Sequence, residues 1–164
     1  MQRLNGLTVL LTGGTGLLGR ALLHRILCDH AQGQCGLSRV YVLLRRGRNG
    51  DDAAKRLENE VLQKDLLQHG KAEALLQSAQ QLLLPVTGDI TRERLGLPHE
   101  EYQALCRAVD VVVHKAGAVS LNAPLDEAVE LNVAGAGAVA SFAADADAAL
   151  VHVSSAFVQT RENE

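Results

Sequence analysis

Short runs of consecutive apolar residues alternate along this chain with longer stretches in which apolar residues recur every three or four positions. The run Leu7-Thr8-Val9-Leu10-Leu11 ends at the glycines of Thr12-Gly13-Gly14-Thr15-Gly16, which is the pattern of a strand buried on both faces. Beyond it Leu18, Leu22, Leu23, Ile26 and Leu27 recur at helical spacing as far as about Asp29, and Gly33 and Gly36 then break the pattern. Val40 to Leu44 reads as a second strand, so Leu7 to Leu44 predicts a strand-helix-strand unit with parallel strands and a right-handed crossover. Asp51 to about Gln80 is rich in good helix formers, with Gly70 dividing it into two helical pieces. Leu82 to Val86 reads as a third strand, and Pro85, which lacks an N–H, places it at a sheet edge. Val109 to Val113 is a fourth strand, about Pro124 to Ala144 an Ala-rich helix, and Leu150 to Val153 a fifth strand. No element is assigned between Ile90 and Val109. The alternation, without linker, repeat or low-complexity tract, predicts a doubly wound α/β fold with a parallel sheet in the order 3-2-1-4-5.

Composition narrows the partners. The 164 residues are 47% hydrophobic and 21% charged, which suits one globular domain. At this length about 68–70% of the unfolded surface can be buried. Only Phe142, Phe157, Tyr41 and Tyr102 are aromatic, so stacking platforms for single-stranded nucleic acid are lacking, and a net charge of −3 removes the field that phosphate-backbone binding needs. Cys28, Cys35 and Cys106 form no C-x-x-C pair and read as reduced structural thiols. The six histidines are scattered without ligand spacing, so no metal site is expected. Met1 to Gly6 has no signal-peptide pattern, and the apolar runs fall short of a membrane span, so a cytoplasmic location is expected.

The chemistry concentrates at strand ends. Gly13, Gly16 and Gly19 in Thr12-Gly13-Gly14-Thr15-Gly16-Leu17-Leu18-Gly19 stand between a strand and a helix. Gly13 permits a tight turn, Gly16 lets backbone approach a pyrophosphate, and Gly19 lets the helix lie close to the sheet. The helix N-terminus adds free N–H donors and partial positive charge. Thr12, Gly13, Thr15, Gly16, Leu17, Leu18 and Gly19 are therefore candidate contacts of a dinucleotide. The second strand ends not in an acid but in Leu44-Arg45-Arg46-Gly47-Arg48; Arg45, Arg46 and Arg48 suit a 2′-phosphate, favouring NADP(H) over NAD.

Further motifs follow in order: Gly88-Asp89-Ile90 after the third strand, Val113-His114-Lys115-Ala116-Gly117-Ala118-Val119 after the fourth, Leu131-Asn132-Val133-Ala134-Gly135 in the long helix, and His152-Val153-Ser154-Ser155-Ala156-Phe157-Val158 at the fifth. On these the sequence resembles the extended short-chain dehydrogenase/reductases, a family with a Rossmann cofactor domain. Pro124-Leu125-Asp126-Glu127-Ala128-Val129 and Arg94-Leu95-Gly96-Leu97 make it resemble, within that family, the fatty acyl-CoA reductases and thioester reductases of the male sterility type. The resemblance implies that Asp89 hydrogen-bonds the adenine amine and Ile90 borders the ring. It implies that Lys115, Ala116 and Gly117 line the cofactor's path, Asn132 supports the active site, and Ser155 polarises the substrate carbonyl. Lys115 departs from the small residues usual there and is expected to point to solvent.

The resemblance further implies hydride transfer from NADPH to an acyl thioester, on coenzyme A or a carrier protein, giving an aldehyde or alcohol. The proton in such reductases comes from a tyrosine with a lysine four residues later. Here Tyr41 is followed at that spacing by Arg45, and Tyr102 by Cys106. Residues 1–164 are accordingly expected to be the NADP-binding part of a longer enzyme, with the substrate-binding part and the Tyr-x-x-x-Lys pair beyond Glu164. A nucleotide-sugar epimerase or dehydratase, and a non-catalytic NADP-sensing module, are the competing expectations.

Overall fold

The computed structural model describes residues 5–63, 72–120 and 122–154. Its chain order is β1 (Thr8–Thr12), α1 (Leu17–Ala31), β2 (Arg39–Leu44), α2 (Ala53–Leu57), α3 (Ala72–Leu82), β3 (Leu83–Thr87), α4 (His99–Ala108), β4 (Val111–His114), α5 (Leu125–Val129), α6 (Gly135–Asp145) and β5 (Ala149–His152). All strand pairs are parallel, in the order β3-β2-β1-β4-β5. The sheet is thus the expected one, and Pro85 sits on the edge strand where its missing N–H removes nothing from a central ladder.

Alternation along the strands builds two cores. Val9, Leu11, Val40, Val42 and Leu44 face Leu23 and Leu27 of α1 together with Ala53, Leu57, Leu75, Ala79 and Leu82. Leu10, Leu43 and Val112 face the other way, against Leu95, Leu105, Leu131, Val139 and Phe142. Phe142, fully buried, meets Tyr102 edge-on at 5.3 Å, and the Tyr102 hydroxyl donates to Asp145 at 2.7 Å, tying α4 to α6. At β5 the apolar Leu150 and Val151 remain exposed.

Several boundaries differ from expectation for local reasons. Leu82 closes α3, so β3 begins at Leu83. Val109 closes α4 by donating to the Leu105 carbonyl, so β4 starts at Val111 and runs to His114. The helix expected from Pro124 to Ala144 is α5 and α6 joined by a π-helical turn, Glu130–Ala134. A second such turn, Glu58–Leu62, follows α2. Gly70, expected to divide the helical pieces, lies outside the described residues. Helix α4, unassigned from sequence, is preceded by a tight turn at Glu93–Gly96 in which Arg94 and Leu95 take left-handed backbone angles, φ 52° and 57°.

Candidate functional site

The strand order reverses at β1, and in a doubly wound sheet the crevice at such a reversal lies beyond the carboxyl ends of the two diverging strands. Here those ends are Thr12 of β1 and His114 of β4. The two following loops touch. A Cβ on Gly13, whose φ is +70°, would stand 2.7 Å from the Ala116 nitrogen and 2.8 Å from the Lys115 carbonyl carbon. Only glycine satisfies both the backbone angle and that approach.

Thr12 fastens the junction. Its buried hydroxyl oxygen accepts the backbone N–H groups of Lys115 and Ala116, each at 3.2 Å, and lies 2.7 Å from His114 Nδ1. With two donors already arriving, the hydroxyl proton is the one left to give, so Thr12 donates and Nδ1 of a neutral His114 accepts. Burial, and then the nearby His152, push the His114 pKa down to about 4, which keeps it neutral. His152 stacks on it with ring centroids 5.0 Å apart. His114, one of the scattered histidines, thus positions the loop. Its place at the carboxyl end of the fourth strand, directly before Lys115-Ala116-Gly117, was the available signal.

The glycine loop behaves as expected at Gly13 and differs at Gly19. A Cβ on Gly19 would collide with the Gly13 carbonyl and stand 2.7 Å from Gly14 Cα, so Gly19 seats α1 against the loop itself more than against the sheet. Gly14, not singled out from sequence, is also confined, with Val42 Cγ1 2.7 Å from its missing Cβ. Gly16 differs from both: a Cβ there would meet nothing nearer than 3.5 Å, ordinary contact, so the fold itself leaves room. Gly16 is the N-cap of α1, without a side-chain cap and without an acid in the first turn. The first N–H groups of α1 lack helical partners, and Gly16, Leu17 and Leu18 are exposed around them while Thr15 is half-buried. This cradle, open at the Cβ position of Gly16 and rimmed with N–H donors, fits a diphosphate.

Lys115 corrects an expectation. Its side chain does not run to solvent but is half-buried beneath the glycine loop, donating from Nζ to the Gly13 carbonyl at 3.2 Å. Burial lowers its pKa.

Asn132, within the π-helical turn, grips the loop after β4. Its Oδ1 accepts the Ala118 N–H at 2.8 Å and its Nδ2 donates to the Ala118 carbonyl at 3.0 Å. A Cβ on Gly117 would come within 2.8 Å of that Oδ1, so the glycine and the asparagine require each other. Asp89 turns one carboxylate oxygen to its own loop, accepting from Thr91 N and Oγ1 at 3.0 and 2.9 Å. Its N–H is held by the carbonyl of the strained Leu95 at 2.7 Å. Ile90 is buried against α6, close to Gly135. The side chains of Arg45, Arg46 and Arg48 are exposed beyond β2. Arg56, missed from sequence, braces that loop: it donates to the Arg45 carbonyl at 2.8 Å while forking onto Glu60 at 2.6 and 3.0 Å. Ser155 lies outside the described residues.

A doubly wound sheet with a glycine cradle at its topological switch defines a dinucleotide-binding domain of the Rossmann type. Residues 11–164 match the male sterility protein family, and the chain belongs to that NAD-binding family. It is 32% identical over 155 residues to the putative fatty acyl-CoA reductase CG8306 of Drosophila melanogaster, covering 93% of this chain and 29% of that protein. It is 30% identical over 169 residues to the alcohol-forming fatty acyl-CoA reductase of Simmondsia chinensis, covering 99% of this chain and 33% of the relative. The chain therefore spans about a third of these relatives. The reductase domain of a non-ribosomal peptide synthetase from Mycobacterium tuberculosis superposes with a TM-score of 0.69 at 29% identity, over 93% of this chain and 34% of that one. A Helicobacter pylori heptose epimerase, at 16% identity and TM-score 0.57 over 93% of this chain and 40% of its own, shares the fold alone. Among the described residues no helix is long and apolar enough to cross a membrane.

Proposed function

We propose that this chain is the NADP(H)-binding portion of a reductase acting on fatty acyl thioesters, carried on coenzyme A or on a carrier protein, to give an aldehyde or alcohol. The observation that carries the reading is the contact of the glycine loop with the Lys115–Ala116 backbone at the sheet's switch point, in a chain whose family relatives are fatty acyl-CoA reductases.

When bound, the reduced nicotinamide supplies the hydride. The chain's own residues place it. The N–H groups of α1 receive the diphosphate, the exposed Arg45, Arg46 and Arg48 receive the 2′-phosphate, and Asp89 keeps one oxygen for the adenine amine. Ile90, from beneath, shapes the adenine's floor. Ala116 and Gly117 leave room for the ribose and nicotinamide halves, and Asn132 holds that stretch of backbone in place. Ser155 hydrogen-bonds the thioester carbonyl as negative charge develops on it. The reading assigns the tyrosine that gives the proton, and its lysine, to chain beyond Glu164.

The test uses the full-length protein, following consumption of NADPH with a long-chain acyl-CoA, an acyl carrier thioester or a UDP-sugar. Turnover of a thioester and none of the sugar is expected; the reverse would replace the reductase by an epimerase-type enzyme, and binding without turnover by a sensor. Arg45→Ala is expected to weaken NADPH about tenfold and to leave NADH unchanged, since a charge-assisted hydrogen bond to phosphate is worth roughly 1.5–3 kcal/mol. An unchanged NADPH dissociation constant would remove Arg45 from the phosphate site.

A further inference from the structure

The ammonium of Lys115 is placed where a cation is hard to accommodate. Strand alternation puts residue 115 on the same side of the sheet as Val111 and Val113, which pack toward the core beneath α1. The side chain runs under the glycine loop, bonds the Gly13 carbonyl at 3.2 Å, and ends 3.5 Å from where a Cβ on Gly16 would be. Gly16 is the N-cap of α1. A helix N-terminus carries partial positive charge and favours anions; a lysine there stands at the wrong end of the dipole. No acid in the first turn offsets it, and among the described residues no carboxylate pairs with Lys115. A half-buried ammonium without a counter-charge opposes folding, and its lowered pKa has the same cause. A hydrogen bond to one carbonyl could be made by a neutral side chain, so the charge itself calls for a reason.

We propose that Lys115 is a phosphate-binding residue, whose ammonium supplies to the pyrophosphate of the nicotinamide dinucleotide the positive charge that the backbone N–H groups of α1 cannot supply alone. The ligand class is a diphosphate diester with two negative charges, held between a helix N-terminus above and a fixed ammonium below. Of the three Nζ donors, one serves Gly13 and two remain. This inference rests on the reading of the glycine loop as a dinucleotide site. It makes Lys115 distinct from Arg45, Arg46 and Arg48: the pyrophosphate is common to NADH and NADPH, whereas the 2′-phosphate belongs to NADPH only.

The experiment compares the intact protein with Lys115→Gln, Lys115→Met and Lys115→Arg, measuring dissociation constants for NADPH and NADH by calorimetry at low and high salt, and thermal midpoints without ligand. Gln can still donate to the Gly13 carbonyl but carries no charge. Lys115→Gln and Lys115→Met are expected to weaken both dinucleotides by the same factor, about ten- to a hundredfold, with a shallower dependence on salt. Lys115→Arg should restore most of the affinity, and the neutral variants should melt no lower than the parent. The proposal is overturned if Lys115→Gln binds both dinucleotides within about twofold of the parent, for then the side chain only braces the loop. It is equally overturned if NADPH alone is weakened, which would move the contact to the 2′-phosphate. A parent protein that binds neither dinucleotide would instead sink the reading of the loop as a cofactor site.

Discussion

Gly13 and Gly16 stand in one loop and do different things, and their neighbours tell them apart. Gly13 combines a left-handed φ of +70° with backbone 2.7 Å from its missing Cβ. Gly13→Ala is therefore expected to lower stability by about 2–4 kcal/mol, strain and overpacking together. Gly16 has an ordinary helix-entry backbone, φ −73°, and nothing within 3.5 Å of the Cβ position. Gly16→Ala should change stability by less than about 0.5 kcal/mol while weakening dinucleotide binding at least about tenfold, because the methyl occupies the diphosphate's place. Denaturation and calorimetry on the two variants read the two effects separately. If Gly16→Ala bound normally, the diphosphate would not lie over that residue.

Asn132 and Gly117 belong to the scale of elements, since they lock a helix to a loop. The extra residue in the π-helical turn Glu130–Ala134 interrupts the regular helical ladder where Asn132 faces the Ala118 backbone, and such turns commonly mark functional positions. Asn132→Ala removes two hydrogen bonds at an exposed position and should cost about 1 kcal/mol, but kcat/KM of the full-length enzyme should fall by roughly tenfold or more as the loop after β4 loses its place. Gly117→Ala pushes against the same Oδ1, 2.8 Å away, so its cost should shrink in the Asn132→Ala background. Additive effects in that double-mutant cycle would mean the two residues do not act through each other. The strands, the glycine loop and the order of the sheet were legible from sequence because buried parallel strands are uninterrupted apolar runs. Helix α4 was passed over although Tyr102, Leu105, Cys106 and Val109 recur at helical spacing, because it is only ten residues long and buries just Tyr102 and Leu105. Pro98 before it and Glu100 and Glu101 in its first turn were the usable signals. The fold of Lys115 under the glycine loop could not be read from composition, since a lysine alone is expected at the surface. The contact follows from the closeness of two loops that lie about a hundred residues apart, Lys115 to Gly13 with a separation of 102.

At the scale of the whole molecule, the switch point that opens the crevice also weakens the sheet. Between β1 and β2 the register runs on to Thr12↔Leu43, whereas between β1 and β4 it stops at Leu11↔Val113. Past that point the Thr12–His114 side-chain bond takes over from the backbone ladder, and it requires His114 neutral. The linkage has a definite sign. His114 has its pKa pushed from 6.5 down to about 4 in the folded protein, by burial first and by His152 second. Between those values the unfolded chain binds the proton more tightly than the folded one, so stability rises with pH across the window. It is fully present above about pH 6.5 and is lost progressively as pH falls toward 4, by an amount on the order of 3 kcal/mol. Carboxylates titrate in part of the same range, and His114→Asn separates them, because asparagine can accept from Thr12 and does not titrate. Chemical denaturation of parent and variant across this window should give a shallower acid loss for the variant, together with weaker dinucleotide binding by the parent at the acid end as the Gly13 and Ala116 loops part. Superimposable pH profiles for the two proteins would show that His114 is not the group that couples proton uptake to the joining of the sheet's two halves.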